Sequence, residues 1–123
     1  MWAIEKNGKL VGGCSIHVNA YNDFVEIGYE IAKDYWNQGI ASAVVKSLLK
    51  FSFESLQANR VESICWDNNI GSARAMEKAG MVHEGTLKQR VKYPDKDFRD
   101  QLYYAMLKTD YFSSSALKET KNL

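Results

Sequence analysis

Two changes of period within forty residues constrain this chain more than any other feature. Phe24 to Ile31 alternates, with Val25, Ile27, Tyr29 and Ile31 on one side and Glu26, Gly28 and Glu30 on the other. That is the period of a strand with one buried face. From Gly39 to about Ser55 the period becomes helical. Ile40, Val44, Leu48 and Phe51 recur at intervals of four, four and three, with Ala41, Val45 and Leu49 beside them. Val61 to Trp66 is then a short apolar strand, so this middle section reads as a strand–helix–strand crossover.

The flanks supply further elements. Trp2 to Glu5 is a strand, Asn7-Gly8 a hairpin turn and Leu10 to Val18 the returning strand, with Gly12-Gly13 suggesting a bulge. Asp67-Asn68-Asn69 offers cap chemistry to a helix over Ile70 to Ala79, which Gly80 stops. Met81 to about Lys92 and Phe98 to Leu107 read as two strands joined by a turn at Tyr93 to Asp97, with Leu102, Tyr104 and Met106 on one face. A helix starts at Asp110-Tyr111-Phe112, and the polar end makes residues 109–123 a partly ordered tail. The expected order is three strands, helix, strand, helix, two strands, an α/β arrangement with an antiparallel start.

Composition narrows the function classes. The 123 residues make one domain, 46% hydrophobic and 25% charged. A net charge of +1 gives no electrostatic case for nucleic acid, and no apolar run reaches membrane-spanning length. The opening residues Met1 to Lys6 do not read as a secretory signal, so a cytoplasmic setting is expected. Cys14 and Cys65 lie in apolar strands and read as two buried thiols rather than a disulfide. With only His17 and His83, and no paired Cys or His spacing, no structural zinc site is expected.

The most informative stretch is Tyr35-Trp36-Asn37-Gln38-Gly39-Ile40-Ala41-Ser42, which leaves a strand and opens a helix. The first helical turn leaves backbone N–H groups without partners at the positive end of the helix dipole, where an anion is stabilised. Gly39 and Ala41 keep bulk away from phosphate oxygens, and Ser42 offers a hydroxyl. The plainer alternative is a loop whose glycine eases a turn.

At this point the chain resembles the GNAT acetyltransferase superfamily, and within it the ribosomal-protein-alanine N-acetyltransferase type. Gly39-x-Ala41 fits the second half of the superfamily's Gln/Arg-x-x-Gly-x-Gly/Ala loop, although Trp36 stands at the Gln/Arg position. Glu26-Ile27-Gly28-Tyr29-Glu30-Ile31 resembles the subgroup's central strand. Asn69-x-x-Ser72 followed by Glu77-Lys78-x-Gly80-Met81 resembles its Asn-x-x-Ser and Glu-Lys-x-Gly-Phe signature, with Met for Phe. Glu84-Gly85-x-Leu87-Lys88 and Arg99-Asp100 are similar to its closing strands.

The resemblance implies a mixed, mostly antiparallel sheet with flanking helices and an acetyl-CoA-dependent N-acetyltransferase. It implies a pantetheine arm lying between two splayed strands against backbone near Ile31 and Ala32, and a pyrophosphate on the N–H groups of Gln38, Gly39, Ile40, Ala41 and Ser42. Asn69 would reach the pantetheine side, in addition to capping a helix, and Ser72 the thiol. Arg74 and Lys78 are either phosphate contacts or solvated surface charges. The family's opening strand and two helices are not evident before Trp2, so the fold is expected to be N-terminally truncated and to form a homodimer that covers exposed apolar surface.

The chemistry demands a neutral amine beside the thioester carbonyl. A peptide α-amine is about a quarter neutral at pH 7.5 and a lysine about a thousandth, so an enzyme for α-amines needs positioning and a proton exit more than a strong base. Glu26 leads the candidate bases, ahead of Glu84, Asp100 and His83. Met76 stands where relatives carry an acidic Tyr, which leaves Ser72 or water beside the leaving thiolate. The acceptor is a primary amine, with a protein N-terminal α-amine first and small amines such as polyamines open. The alternatives are a non-catalytic acetyl-CoA-binding module and an interaction domain that keeps only the fold.

Overall fold

The computed structural model describes residues 1–92, 94 and 97–113. β1 (Trp2–Lys6) and β2 (Lys9–Asn19) form a hairpin across Asn7-Gly8, both at positive φ (53° and 79°) as a tight two-residue hairpin turn requires. β3 (Phe24–Ile31) leads through a 3-10 turn at Lys33–Tyr35 to α1 (Ile40–Lys50), which a π turn extends over Phe51–Ser55. β4 (Arg60–Trp66), α2 (Ile70–Lys78), β5 (Val82–Lys92) and β6 (Phe98–Leu107) follow, and residues 108–113 are helical. Of the expected turn at Tyr93 to Asp97, Tyr93, Asp95 and Lys96 lie outside the described residues, as does the tail from Ser114 onward.

The six strands make one sheet in the order β1-β2-β3-β4-β6-β5. Every neighbouring pair is antiparallel except β3 and β4, which α1 connects as a crossover. This is the mixed, mostly antiparallel sheet expected from the sequence. Val25 and Ile27 of β3, Val45, Leu48 and Leu49 of α1, Val61 and Cys65 of β4, Ala75 and Met76 of α2, and Tyr104 and Met106 of β6 share one core. Each large side chain buried there contributes roughly 1.5–3 kcal/mol.

Two expectations shift. Phe51 is not a core residue: it is exposed and meets the Trp2 ring edge-on at 6.2 Å, while Phe53 is fully buried. The apolar stripe runs Val45, Leu49, Phe53, because the wider π turn keeps a four-residue spacing on the core side. The bulge falls beside Gly12-Gly13 rather than on it. Ile4 pairs with Gly12 and Glu5 with Leu10, leaving Val11 as the extra residue. Gly12 is required there, since a Cβ at that position would lie 2.0 Å from the Glu30 carbonyl oxygen.

Candidate functional site

The candidate site lies where β3 and β4 part. Their ladder is three residues long, pairing Phe24 with Arg60, Val25 with Val61 and Glu26 with Glu62. Beyond it the strands diverge. Side chains then take over carbonyls that would otherwise seek ladder partners, since buried backbone groups must be paired. The Ser63 hydroxyl donates to the Ile27 carbonyl at 2.9 Å, and the Trp36 indole N–H donates to the Ile31 carbonyl at 2.7 Å. On the other side of β3, Ala32 N–H donates to the Val11 carbonyl at 2.8 Å. Alternation along a strand therefore aims the backbone of Ile27, Tyr29 and Ile31 at the gap, and that of Glu30 and Ala32 at β2.

Past the end of β3 stands the N-terminus of α1. Gly39 is the cap, at φ 78° with nothing within 4 Å of the place a Cβ would occupy, and no side chain caps the helix. The first intrahelical bond runs from Ala43 N–H to the Gly39 carbonyl, so the N–H groups of Ile40, Ala41 and Ser42 lack helical partners. The Gln38 side chain donates to the Asp34 carbonyl at 3.3 Å and accepts from Lys6 Nζ at 3.2 Å. Lys6, at the end of β1, thus brings an ammonium beside this helix terminus. No sequence spacing pointed to it, because Lys6 and Gln38 are 32 residues apart.

Opposite the gap, Asn69 caps α2 by accepting the Ser72 N–H at 3.1 Å. The Ser72 hydroxyl lies 2.7 Å from the Tyr29 phenol, which also reaches the Ser72 carbonyl at 3.1 Å. Burial pushes the Tyr29 phenol up to about 12, with the Ser72 hydrogen bond pulling the other way. The fold thus brings Ser72 to β3 beyond the fork, and Glu26 sits at the fork itself.

The other candidate bases have hydrogen-bond partners of their own. Glu84 makes a bidentate pair with Arg60 at 3.0 and 2.6 Å, and that guanidinium holds its carboxyl below the usual range. Asp100 accepts the Gln89 N–H at 2.7 Å. His83 bonds Thr86 at 3.1 Å and packs against Tyr104, the rings tilted by 33° with centroids 5.3 Å apart. Met76 is fully buried. Arg74 is exposed, and Lys78 lies in the last turn of α2, about 9 Å along the axis from Ser72. Cys14 and Cys65 are free thiols; Cys65 is buried, and burial pushes it up to about 11, whereas Cys14 is only partly buried. Among the described residues no three His, Cys, Asp or Glu side chains gather as a metal site.

A family described as the acetyltransferase (GNAT) domain matches residues 1–82, more than half of the chain. The chain belongs to the GNAT acetyltransferase family. It is 33% identical over 91 residues to the Bacillus subtilis (strain 168) protein named Uncharacterized N-acetyltransferase YoaA, covering 72% of this chain and 51% of that one. It is 30% identical over 90 residues to the ribosomal-protein-serine acetyltransferase of Escherichia coli (strain K12), covering 72% and 50%. The chain spans about half the length of these relatives. A GNAT-family acetyltransferase structure from Bacillus anthracis superposes with a TM-score of 0.74 at 32% identity, over 83% of this chain and 61% of that one. A spermidine N-acetyltransferase from Vibrio cholerae superposes with a TM-score of 0.82 over 92% and 68%, but at 21% identity this likeness is of fold alone. The GNAT domain implies acetyl-CoA as co-substrate, and no described helix is long and apolar enough to cross a membrane.

Proposed function

We propose that this GNAT chain transfers an acetyl group from acetyl-CoA to a primary amine, with a protein N-terminal α-amine as the acceptor. The observation that carries the reading is the gap between β3 and β4 opening toward an uncapped helix N-terminus at Gly39. An extended pantetheine arm fits between diverging strands, because its amides pair with strand backbone as a third strand would. The gap-facing groups belong to Tyr29 and to the N–H of Ile31. Ala32 N–H and the Ile31 carbonyl are already paired, which moves the expected contact one or two residues back from Ile31 and Ala32. The pyrophosphate lies on the N–H groups of Ile40, Ala41 and Ser42, beside Gln38 and Lys6.

Acetyl transfer joins the amine nitrogen to the thioester carbon and breaks its bond to sulfur, and the nitrogen gives up one proton. Glu26 takes that proton directly or through water; it sits at the fork on the face away from the core. The α-amine preference is supported by the likeness to the ribosomal-protein-serine acetyltransferase. The test is acetyl-CoA consumption against a panel of N-terminal peptides, lysine-containing blocked peptides and polyamines. Release of thiol with the α-amine peptides first is the expected result. Preference for a polyamine would replace the acceptor, and acetyl-CoA retention without turnover would make the chain a binding module.

A further inference from the structure

Resting on that reading, we infer that Trp36 is a positioning residue that closes the gap-facing edge of β3 at Ile31 and so fixes how far the pantetheine arm reaches along the strand. Its indole N–H donates to the Ile31 carbonyl at 2.7 Å, at the short end of the usual range.

That bond marks one end of a short window. β3 turns the backbone of Ile27, Tyr29 and Ile31 toward the gap, and its ladder to β4 stops at Glu26. The Ser63 hydroxyl takes the Ile27 carbonyl at 2.9 Å, and Trp36 takes the Ile31 carbonyl. Between these two bonds stand the N–H and carbonyl of Tyr29 and the N–H of Ile31, past the end of the β4 ladder.

Local geometry holds the upper stop in place. The chain leaves β3 through a tight turn, with Tyr35 N–H on the Ala32 carbonyl at 2.9 Å and Trp36 N–H on the Lys33 carbonyl at 3.1 Å. The turn folds the ring back onto the strand end. On the opposite edge the Val11 carbonyl holds Ala32 N–H at 2.8 Å, so the end of β3 is fixed from both sides. Trp36 stands where the superfamily loop has Gln or Arg, and all three side chains carry an N–H donor. An indole donates only, so it closes the carbonyl without offering an acceptor to an arriving amide. The ring is 56% exposed, so the core does not depend on it.

The consequence is a register. An arm with spaced amides pairs with a strand as a third strand would, and such pairing slips by whole repeats unless something pins it. One repeat is two residues, about 6.6 Å. With the Ile31 carbonyl closed, the arm has one set of partners, and its thioester comes to the fork at Glu26. With that carbonyl open, the arm gains a partner farther from Glu26, and the reacting carbon spends part of its time out of reach of the base. The pyrophosphate contacts at the start of α1 do not change, so binding persists while reaction slows.

The experiment compares wild type with Trp36→Phe, which keeps a ring and removes the donor, and Trp36→Gln, which removes the ring and keeps a donor. The expected result for Trp36→Phe is a kcat lower by about 10- to 100-fold, with KM for acetyl-CoA within about threefold of wild type. Trp36→Gln recovers most of that loss. A role confined to ring packing gives the opposite order, with Gln the worse variant, and overturns the inference; so does a wild-type kcat in Trp36→Phe. Thermal midpoints show that both variants are folded. The second readout needs no turnover. The indole N–H resonance of Trp36, assigned by its loss in Trp36→Phe, is followed for hydrogen exchange with and without acetyl-CoA. Exchange in the complex is expected to be as slow or slower. Faster exchange shows that the cofactor displaces the indole, and the stop is then wrong. Absence of acetyl-CoA binding in wild type overturns this inference and the acetyl-transfer reading together. Binding without turnover on any amine removes the enzyme reading alone, and the indole exchange then decides for or against the stop.

Discussion

Gly39 and Glu26 show how much a single position carries. Gly39 adopts a left-handed conformation that L side chains rarely take, and it faces open space. Gly39→Glu places a carboxylate before the helix N–H groups proposed to meet phosphate. The expected outcome is loss of acetyl-CoA binding by at least about 100-fold in calorimetric titration, with circular dichroism unchanged. Gly39→Asn tolerates the same φ without charge and retains most of the affinity, which separates repulsion from strain. Glu26→Gln keeps size and removes the carboxylate proposed as the base. The expected drop in rate is modest, about 10-fold or less at pH 8, and grows toward pH 6.5, where fewer α-amines are already neutral. A pH–rate profile parallel to wild type would take Glu26 out of the mechanism.

At the scale of elements, α2 is held at both ends of its role. Asn69 caps it by accepting the Ser72 N–H, and Ser72 in turn meets Tyr29 of β3. Asn69→Ala is expected to cost about 1 kcal/mol of stability in urea unfolding and to weaken acetyl-CoA binding as the first turn loosens. Cap loss without any change in affinity would confine Asn69 to the helix. The sheet's other face has its own clasp. Arg60 reaches across β6 to Glu84 and also bonds Glu62 at 3.1 Å, over the small and nearly buried Ala105. Arg60 lowers the Glu84 carboxyl, so this contribution is present above the unfolded carboxylate value near 4.3 and is lost as pH falls through the lower folded value. Both side chains are partly solvated, which limits the pair to under about 1 kcal/mol. Glu84→Gln is therefore expected to lower the urea midpoint slightly at pH 7 and not at all at pH 2.5.

The whole molecule leaves apolar surface around its first hairpin. Trp2 is 50% and Leu10 67% exposed, and Val18 on β2 is 60% exposed. The residues after β6 cover part of their own chain: Tyr111 stacks on Phe53 at 4.9 Å and its hydroxyl donates to Glu54, while Phe112 stays largely outside. That contact removes Tyr111 from the surfaces on offer to a neighbour and leaves the hairpin. With a folding margin of about 5–15 kcal/mol, a domain gains by covering several such side chains. A second copy meeting through this hairpin is the expected partner. Light scattering across a dilution series checks it: a dimer mass that falls only at low concentration is the expected outcome, and Leu10→Glu shifts the transition to higher concentration. A folded monomer at all micromolar concentrations would show that the hairpin needs no such cover.

By itself the sequence determined every strand and both main helices, because periodicity, turn residues and caps act between near neighbours. Asn7-Gly8 set the hairpin, Gly39 the start of α1 and Asn69 that of α2. Gly39 stood out as a site candidate from its own loop, whereas Glu26, Asn69 and Ser72 became candidates through the family resemblance. What only the tertiary structure decided was pairing between distant residues. The β3–β4 ladder ends after Glu26 and Glu62, Trp36 takes the Ile31 carbonyl and Lys6 meets Gln38. Arg60 pairs with Glu84 across β6, and Tyr29 crosses to Ser72. The π turn moves the buried aromatic from Phe51 to Phe53. None of these leaves a trace in spacing along the chain, since each depends on how sheet divergence and helix packing bring side chains together, and local propensity carries no information about that distance.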